Sequence, residues 1–183
     1  MDRGQAIAEP SVRASRPGVR DAPTAVWPAV AAWGSGLIHL ALGAGAVTAP
    51  TGWSPVALPL IALAASELVW GVAVLVRGHV VAPRAAIAGA LAGLIAGAAA
   101  LWADPVRTSV VAVAAASVLL IAVGLGCARS LRVGVPRSAR PRLAGLVVAA
   151  IAVSAITTPA LAATEAGRHA HDHGVMVVDQ HAH

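Results

Sequence analysis

Few residues in this chain can do chemistry, and they fall into two groups. His39 and Glu67 each lie near the middle of a long apolar run, whereas His169, His171, His173, His181 and His183 crowd the last fifteen positions. Imidazole and carboxylate both gain and lose protons, so the first pair points to a proton relay or an ion-coordinating site. An ionisable group in the middle of a bilayer costs at least about 2.5 kcal/mol, so each of the two needs a partner. The second group has the composition of a metal-binding tract: in an extended chain the three imidazoles of His169, His171 and His173 share a side. Neutral imidazole suits Cu²⁺ or Zn²⁺, and Asp172 or Met176 can supplement the set. Its bland reading is a polar tail that binds metal only adventitiously, because the spacing is not that of a structural zinc site.

The elements that carry these residues follow from composition. Apolar residues make up 58% of the 183 positions and charged residues 11%, against about a quarter charged in an ordinary soluble domain. The apolar excess is gathered into five runs, at about 27–48, 55–76, 81–102, 108–128 and 143–163. Each is about the twenty residues that a helix needs to cross hydrocarbon. None alternates in the manner of a barrel strand, and lipid leaves the backbone no other way to satisfy its hydrogen bonds. The expected fold is therefore all-α, a polytopic transmembrane bundle. Residues 1–26, with Arg3, Arg13, Arg16 and Arg20 among three prolines, read as a disordered basic arm, and 164–183 as a His-rich tail.

Arginine gives this bundle a direction. All thirteen basic residues are Arg, and eleven of them fall in the arm, the second connection or the fourth connection. The positive-inside rule then puts the amino terminus in the cytoplasm and the tail outside. The net charge of +5 is thus a topology signal rather than a nucleic-acid footprint. Arg without Lys, with abundant Ala, Gly and Val, suggests the coding bias of a high-GC bacterium and hence a bacterial plasma membrane. Trp27, Trp53 and Trp102 fall near span ends, where indole suits the headgroup boundary.

Within this frame His39 and Glu67 belong to the two arms of one helical hairpin, at depths about 3 Å apart by helical rise. Ala32, Gly36, His39 and Gly43 share a stripe that lets a second helix come close, and Ser66 and Trp70 flank Glu67. Two readings of the pair stand: a proton-handling element, or a buried hydrogen bond that fixes the hairpin register. No further acidic residue lies inside any span, which favours the register reading. Bis-imidazole haem ligation has no second histidine at that depth.

Other features speak to packing and processing. Gly89, Gly93 and Gly97 form a double GxxxG repeat, specific for close helix contact with either this chain or a second copy. Ser154, Thr157 and Thr158 precede Pro159, whose kink frees a carbonyl that hydroxyls can satisfy. Cys127, the single cysteine, excludes an intrachain disulfide and reads as a small packing residue. The first run is a signal anchor rather than a cleaved leader, whereas Pro159–Ala162 has the small-residue form of a cleavage site that would release the tail. No GxSxG, HExxH, Walker or Rossmann pattern occurs, and the soluble segments are too short for a catalytic domain, so no enzyme is expected.

The segment from Thr157 to His169, with Gly36–His39 and the Glu67 span, resembles a group of uncharacterised actinobacterial multi-span membrane proteins. That resemblance implies a membrane fold and carries no activity. Three functions remain in view. The first is a small membrane protein binding Cu or Zn through an external tail, and the second a structural subunit packing through Gly89, Gly93 and Gly97 onto another copy or a membrane complex. The third is a proton-coupled transport element using His39 and Glu67.

Overall fold

The computed structural model describes residues 26–48, 54–133, 143–164 and 167–168. Residues 1–25 of the basic arm, Trp53, Arg137, Arg140, Arg142 and the five tail histidines lie outside the described residues, and position 26, expected to close the arm, opens the first helix. Those described form five helices and no strand: α1 (Val26–Val47), α2 (Ala57–Arg77), α3 (Pro83–Ala103), α4 (Val110–Val133) and α5 (Leu143–Ala162). All five are long and apolar enough to cross a bilayer. The architecture is an all-helical, multi-pass membrane bundle.

Helix ends depart from the apolar runs where local chemistry intervenes. α4 continues past the expected end near 128 to Val133 and takes Arg129 and Arg132 with it. A guanidinium on a long stem lets the helix keep its hydrogen bonds beyond the hydrocarbon. α3 begins at Pro83 rather than 81, because proline suits the first helical position, where its missing N–H has no intrahelical partner to lose. The five residues between α2 and α3 reverse the chain through two left-handed positions. Gly78, at φ 68°, caps α2 by donating its N–H to Val74 O at 2.9 Å, and Ala82 adopts φ 44° just before Pro83.

α1 is the central post of the bundle. It packs against α2, α4 and α5, while α3 joins through α4 and, more lightly, α2. Small residues make this possible. Gly36 abuts Leu68 and Ala64 O, Gly43 abuts Ile61, and Gly71 receives the indole of Trp33. These contacts run in opposite sequence directions along the two helices, so α1 and α2 are antiparallel along their whole length. Gly34 lies beneath Leu119 of α4 and Val153 and Thr157 of α5, and the ring of Pro28 fills the notch at Gly126. Ile38, Leu42, Leu60, Leu119, Val123, Cys127 and Val153 fill the interior.

The outer surface is apolar as well, with Val69, Val76, Leu91, Ile95 and Ile151 all well exposed. In water such a continuous apolar surface would be an aggregation liability. In lipid it is the face the solvent requires. Arg77, Arg84, Arg129 and Arg132 gather at one end of the bundle, and Asp104 and Arg107 lie at the other.

Two glycines separate tight from open packing. A Cβ at Gly71 would run into the Trp33 ring and stand 3.0 Å from Ala29 O, whereas a Cβ at Gly89 meets nothing within 4 Å. Gly71→Leu is expected to lower stability by about 1–3 kcal/mol, as overpacking does. Gly89→Ala is expected to leave it unchanged or slightly raised, because the backbone loses glycine's freedom. Thermal unfolding of the purified protein in detergent checks both.

Candidate functional site

The single titratable pair inside the bundle is built by α1 and α2. Among the residues of the five helices Glu67 is the lone carboxylate and His39 the lone imidazole. His39 falls on α1 because the stripe through Gly36 and Gly43 faces α2. Glu67 falls on the face of α2 that carries Leu60, Ala64, Gly71 and Val74 inward. These two stripes meet, and His39 Nδ1 comes to 3.0 Å from Glu67 Oε1. The side chains are 1% and 9% exposed.

That distance requires a proton between the two atoms, and either tautomeric arrangement supplies one. Imidazole Nδ1–H donates to an ionised Glu67, or a neutral Glu67 donates Oε1–H to Nδ1. Counting charge narrows the states further. Zero net charge on the pair corresponds to one titratable proton shared by the two groups, as imidazolium with carboxylate or as imidazole with carboxylic acid. Hydrocarbon surroundings favour such a neutral state over either charged one.

The second carboxylate oxygen is different. Glu67 Oε2 is buried and has no hydrogen-bond partner among the described residues. The flanking polar groups do not serve it: Ser66 donates to Leu63 O at 2.8 Å and Trp70 Nε1 donates to Val81 O at 2.7 Å. The latter bond ties α2, one turn from Glu67, to the connection that leads into α3. It is a feature that the sequence announced only as an indole near a carboxylate.

A third helix closes the site. A Cβ on Gly93 would lie 3.0 Å from His39 Cε1, 3.3 Å from Glu67 Oε1 and 2.8 Å from Leu120 Cδ1. The bare backbone of α3 is therefore the lid over the pair, and no larger residue fits without moving it. The three glycines of the repeat thus separate: Gly93 covers the site, a Cβ on Gly97 would stand 3.3 Å from Val113 Cγ1 of α4, and a Cβ on Gly89 would meet nothing within 4 Å among the described residues. Gly93 and Gly97 do their packing inside one molecule.

The remaining sequence candidates fall elsewhere. Thr157 donates to Val153 O at 2.9 Å, one turn back on α5, rather than to the carbonyl that Pro159 frees. Cys127 is buried in the core as a free thiol. No group of three or more metal-ligating side chains occurs among the described residues, and the tail histidines are not among these. Comparison with known protein families, with curated proteins and with solved structures finds no match to this chain.

Gly93→Leu tests the lid directly. The substitution is expected to cost about 1–3 kcal/mol of stability through overpacking and to separate His39 from Glu67. The readout is the ¹⁵N resonance of His39 Nδ1, which should lose its hydrogen-bonded shift in Gly93→Leu and keep it in Gly89→Leu.

Proposed function

We propose that this chain is a multi-pass membrane protein whose His39–Glu67 pair takes up and releases a proton within the bilayer as one half of a coupled exchange. The observation that carries this reading is the combination of a 3.0 Å His–Glu contact with a buried, unpartnered Glu67 Oε2. A pair that served only to hold two helices together would be best built with every polar atom satisfied, because an orphaned oxygen in low dielectric costs about 1–3 kcal/mol or more. An atom left open is instead where protonation state or a bound donor can change.

In this reading α1 and α2 each bring one of the two proton-bearing groups, and α3 keeps water and lipid away from them through Gly93. Among the residues of the five helices no other carboxylate or imidazole stands at the site, so these two side chains are its whole proton-bearing set. The arginine distribution supports an orientation with the Arg77 and Arg84 end in the cytoplasm and the carboxyl terminus outside, and the Arg-only, Ala-rich composition supports a bacterial plasma membrane.

Infrared difference spectroscopy across a pH jump tests the proposal in lipid-reconstituted protein. A Glu67 carboxyl band or a His39 ring band is expected to change, and the change should vanish in both Glu67→Gln and His39→Gln. Glu67→Gln keeps a hydrogen-bonding side chain of nearly the same size, so its fold is expected to survive. Glu67→Ala, which strands the imidazole, should cost about 3–5 kcal/mol. A wild-type spectrum with no change at either residue between pH 5 and 9 would sink the reading.

A second reading draws on the tail sequence, in which five histidines fall within the last fifteen residues. Such a tract, exposed on the outer face, would capture Cu²⁺ or Zn²⁺. Isothermal titration of the purified protein should show metal affinity falling at least tenfold when residues 169–183 are deleted. Unchanged affinity would exclude the tail from metal handling.

A further inference from the structure

A proton that exchanges with the His39–Glu67 pair must first reach it, and the packing around Glu67 leaves few ways in. Gly36, Gly43 and Gly71 shut the α1–α2 seam at three heights, each against a side chain of the opposite helix. Over the pair, Gly93 of α3 leaves no room for even a Cβ. Toward the Asp104 end the α2–α3 seam is lined by apolar side chains such as Leu63, Ile95 and Ala96, and its one hydroxyl, on Ser66, is spent on Leu63 O. An unpaired charge is too costly there for that half to serve as a proton path.

The half toward the arginine-bearing end is different. Trp70 lies one helical turn from Glu67 on that side, and its Nε1 donates to Val81 O at 2.7 Å. Val80, Ala86 and Ile87, from the connection and the first turns of α3, are partly buried against the same core as the indole. Polar groups begin beyond it: the connection carries His79, whose Nδ1 is 3.3 Å from Val80 O, and Arg77 and Arg84 flank that connection. Along the seam, the indole therefore separates the buried pair from the polar end of the bundle.

What holds the indole is local. α2 and α3 pack only lightly against one another. The carbonyl that accepts the indole N–H belongs to the residue before Ala82, which has a Cβ and yet sits at φ 44° in the left-handed region. Such a backbone persists only where surrounding contacts enforce it. Breaking the Trp70 bond removes one of those contacts, so the seam and the turn loosen together.

We propose that Trp70 is the gate of the proton site. While its N–H is bonded to Val81 O the pair is sealed, and when that bond breaks a proton passes between water at the arginine-bearing end and the pair, through the α2–α3 seam. The step moves one proton from hydronium to the pair or back, and no other bond is made. Trp70 itself carries none of it. It is a positioning residue that sets how fast His39 and Glu67 exchange with water and leaves their equilibrium to the pair. The titratable and charged groups on that half of the bundle are His79 of the connection, Cys127 of α4, and Arg77, Arg84, Arg129 and Arg132 at the helix ends.

This inference rests on the proton-exchange reading, and time resolution separates the two. Full-length protein in phosphatidylcholine vesicles, sorted by whether an amino-terminal tag faces outward, receives an external pH jump while the infrared bands of Glu67 and His39 are followed. Because α1 starts at the arginine-bearing end, tag-outward vesicles present that end to the jump. Wild type is expected to respond at least tenfold faster in that orientation than in the opposite one. Trp70→Phe, which removes the N–H, should shorten the half-time in tag-outward vesicles at least tenfold further and leave the final size of the band change unaltered. Replacing the indole by its benzothiophene isostere, which keeps the ring and loses only the N–H, should do the same, and it decides the matter if the Trp70→Phe chain does not fold. A half-time that neither replacement shortens, or a wild-type response no faster from the arginine-bearing end than from the other, would overturn the gate; a band change that persists would leave the proton reading standing. Absence of any band change in wild type would remove both.

Discussion

A carboxyl group placed in hydrocarbon must find a partner, and the arrangement of this bundle is organised around meeting that need for Glu67. The partner is on α1, the helix that occupies the centre of the fold. His39 reaches Glu67 at 3.0 Å only because α1 and α2 approach closely, and they do so across Gly36, Gly43 and Gly71. α3 can then cover the pair only where it has no side chain, at Gly93. Meeting that one constraint thus draws on the central helix, on the small residues around it and on the bare backbone of a third helix.

Elsewhere the buried polar atoms are settled locally. The hydroxyls of Ser35, Thr157 and Thr164 donate to Ala32 O, Val153 O and Leu161 O, each within one turn of its own helix. Such bonds keep a hydroxyl satisfied in lipid without committing a neighbouring helix. Glu67 Oε2 is the contrast, since no carbonyl can serve a carboxylate and its own helix has no free donor at mid-span. The chemistry of the interior is therefore concentrated at one oxygen.

Much of this was legible in the sequence, and the division follows physical lines. Helix number and approximate extent are written in the length of the apolar runs, because bilayer thickness imposes its own ruler. The depth match between His39 and Glu67 follows from helical rise, since a hairpin brings its arms together whatever the details of packing. Rotation about each helix axis is another matter. The repeat through Gly89, Gly93 and Gly97 marks a face suited to close contact, but its residues differ in which neighbour they meet, and that depends on how α3 leans across α1 and α4. The same holds for Trp70, whose bond to Val81 O depends on a turn made with two left-handed residues. The extension of α4 to Val133 was missed because hydropathy reports where lipid ends, whereas a helix ends where its hydrogen bonds do.

The hairpin geometry also bears on why the pair is there at all. If His39 and Glu67 served to set the register of α1 against α2, that register would depend on them. Yet the glycine contacts already fix it at three heights: Gly71 against Trp33 near one end, Gly36 against Leu68 and Ala64 in the middle, and Gly43 against Ile61 near the other. A slide of one residue along the axis, about 1.5 Å, would drive side chains into backbone at all three. Steric packing alone is sufficient for register, and two apolar residues of similar volume at positions 39 and 67 would hold the hairpin at least as firmly, since a buried ion pair rarely exceeds a well-packed apolar contact in net stabilisation. What those residues would lack is the capacity to hold a proton. The feature that distinguishes the pair from its apolar replacement is therefore chemical rather than architectural, and the open Oε2 is where that chemistry is available.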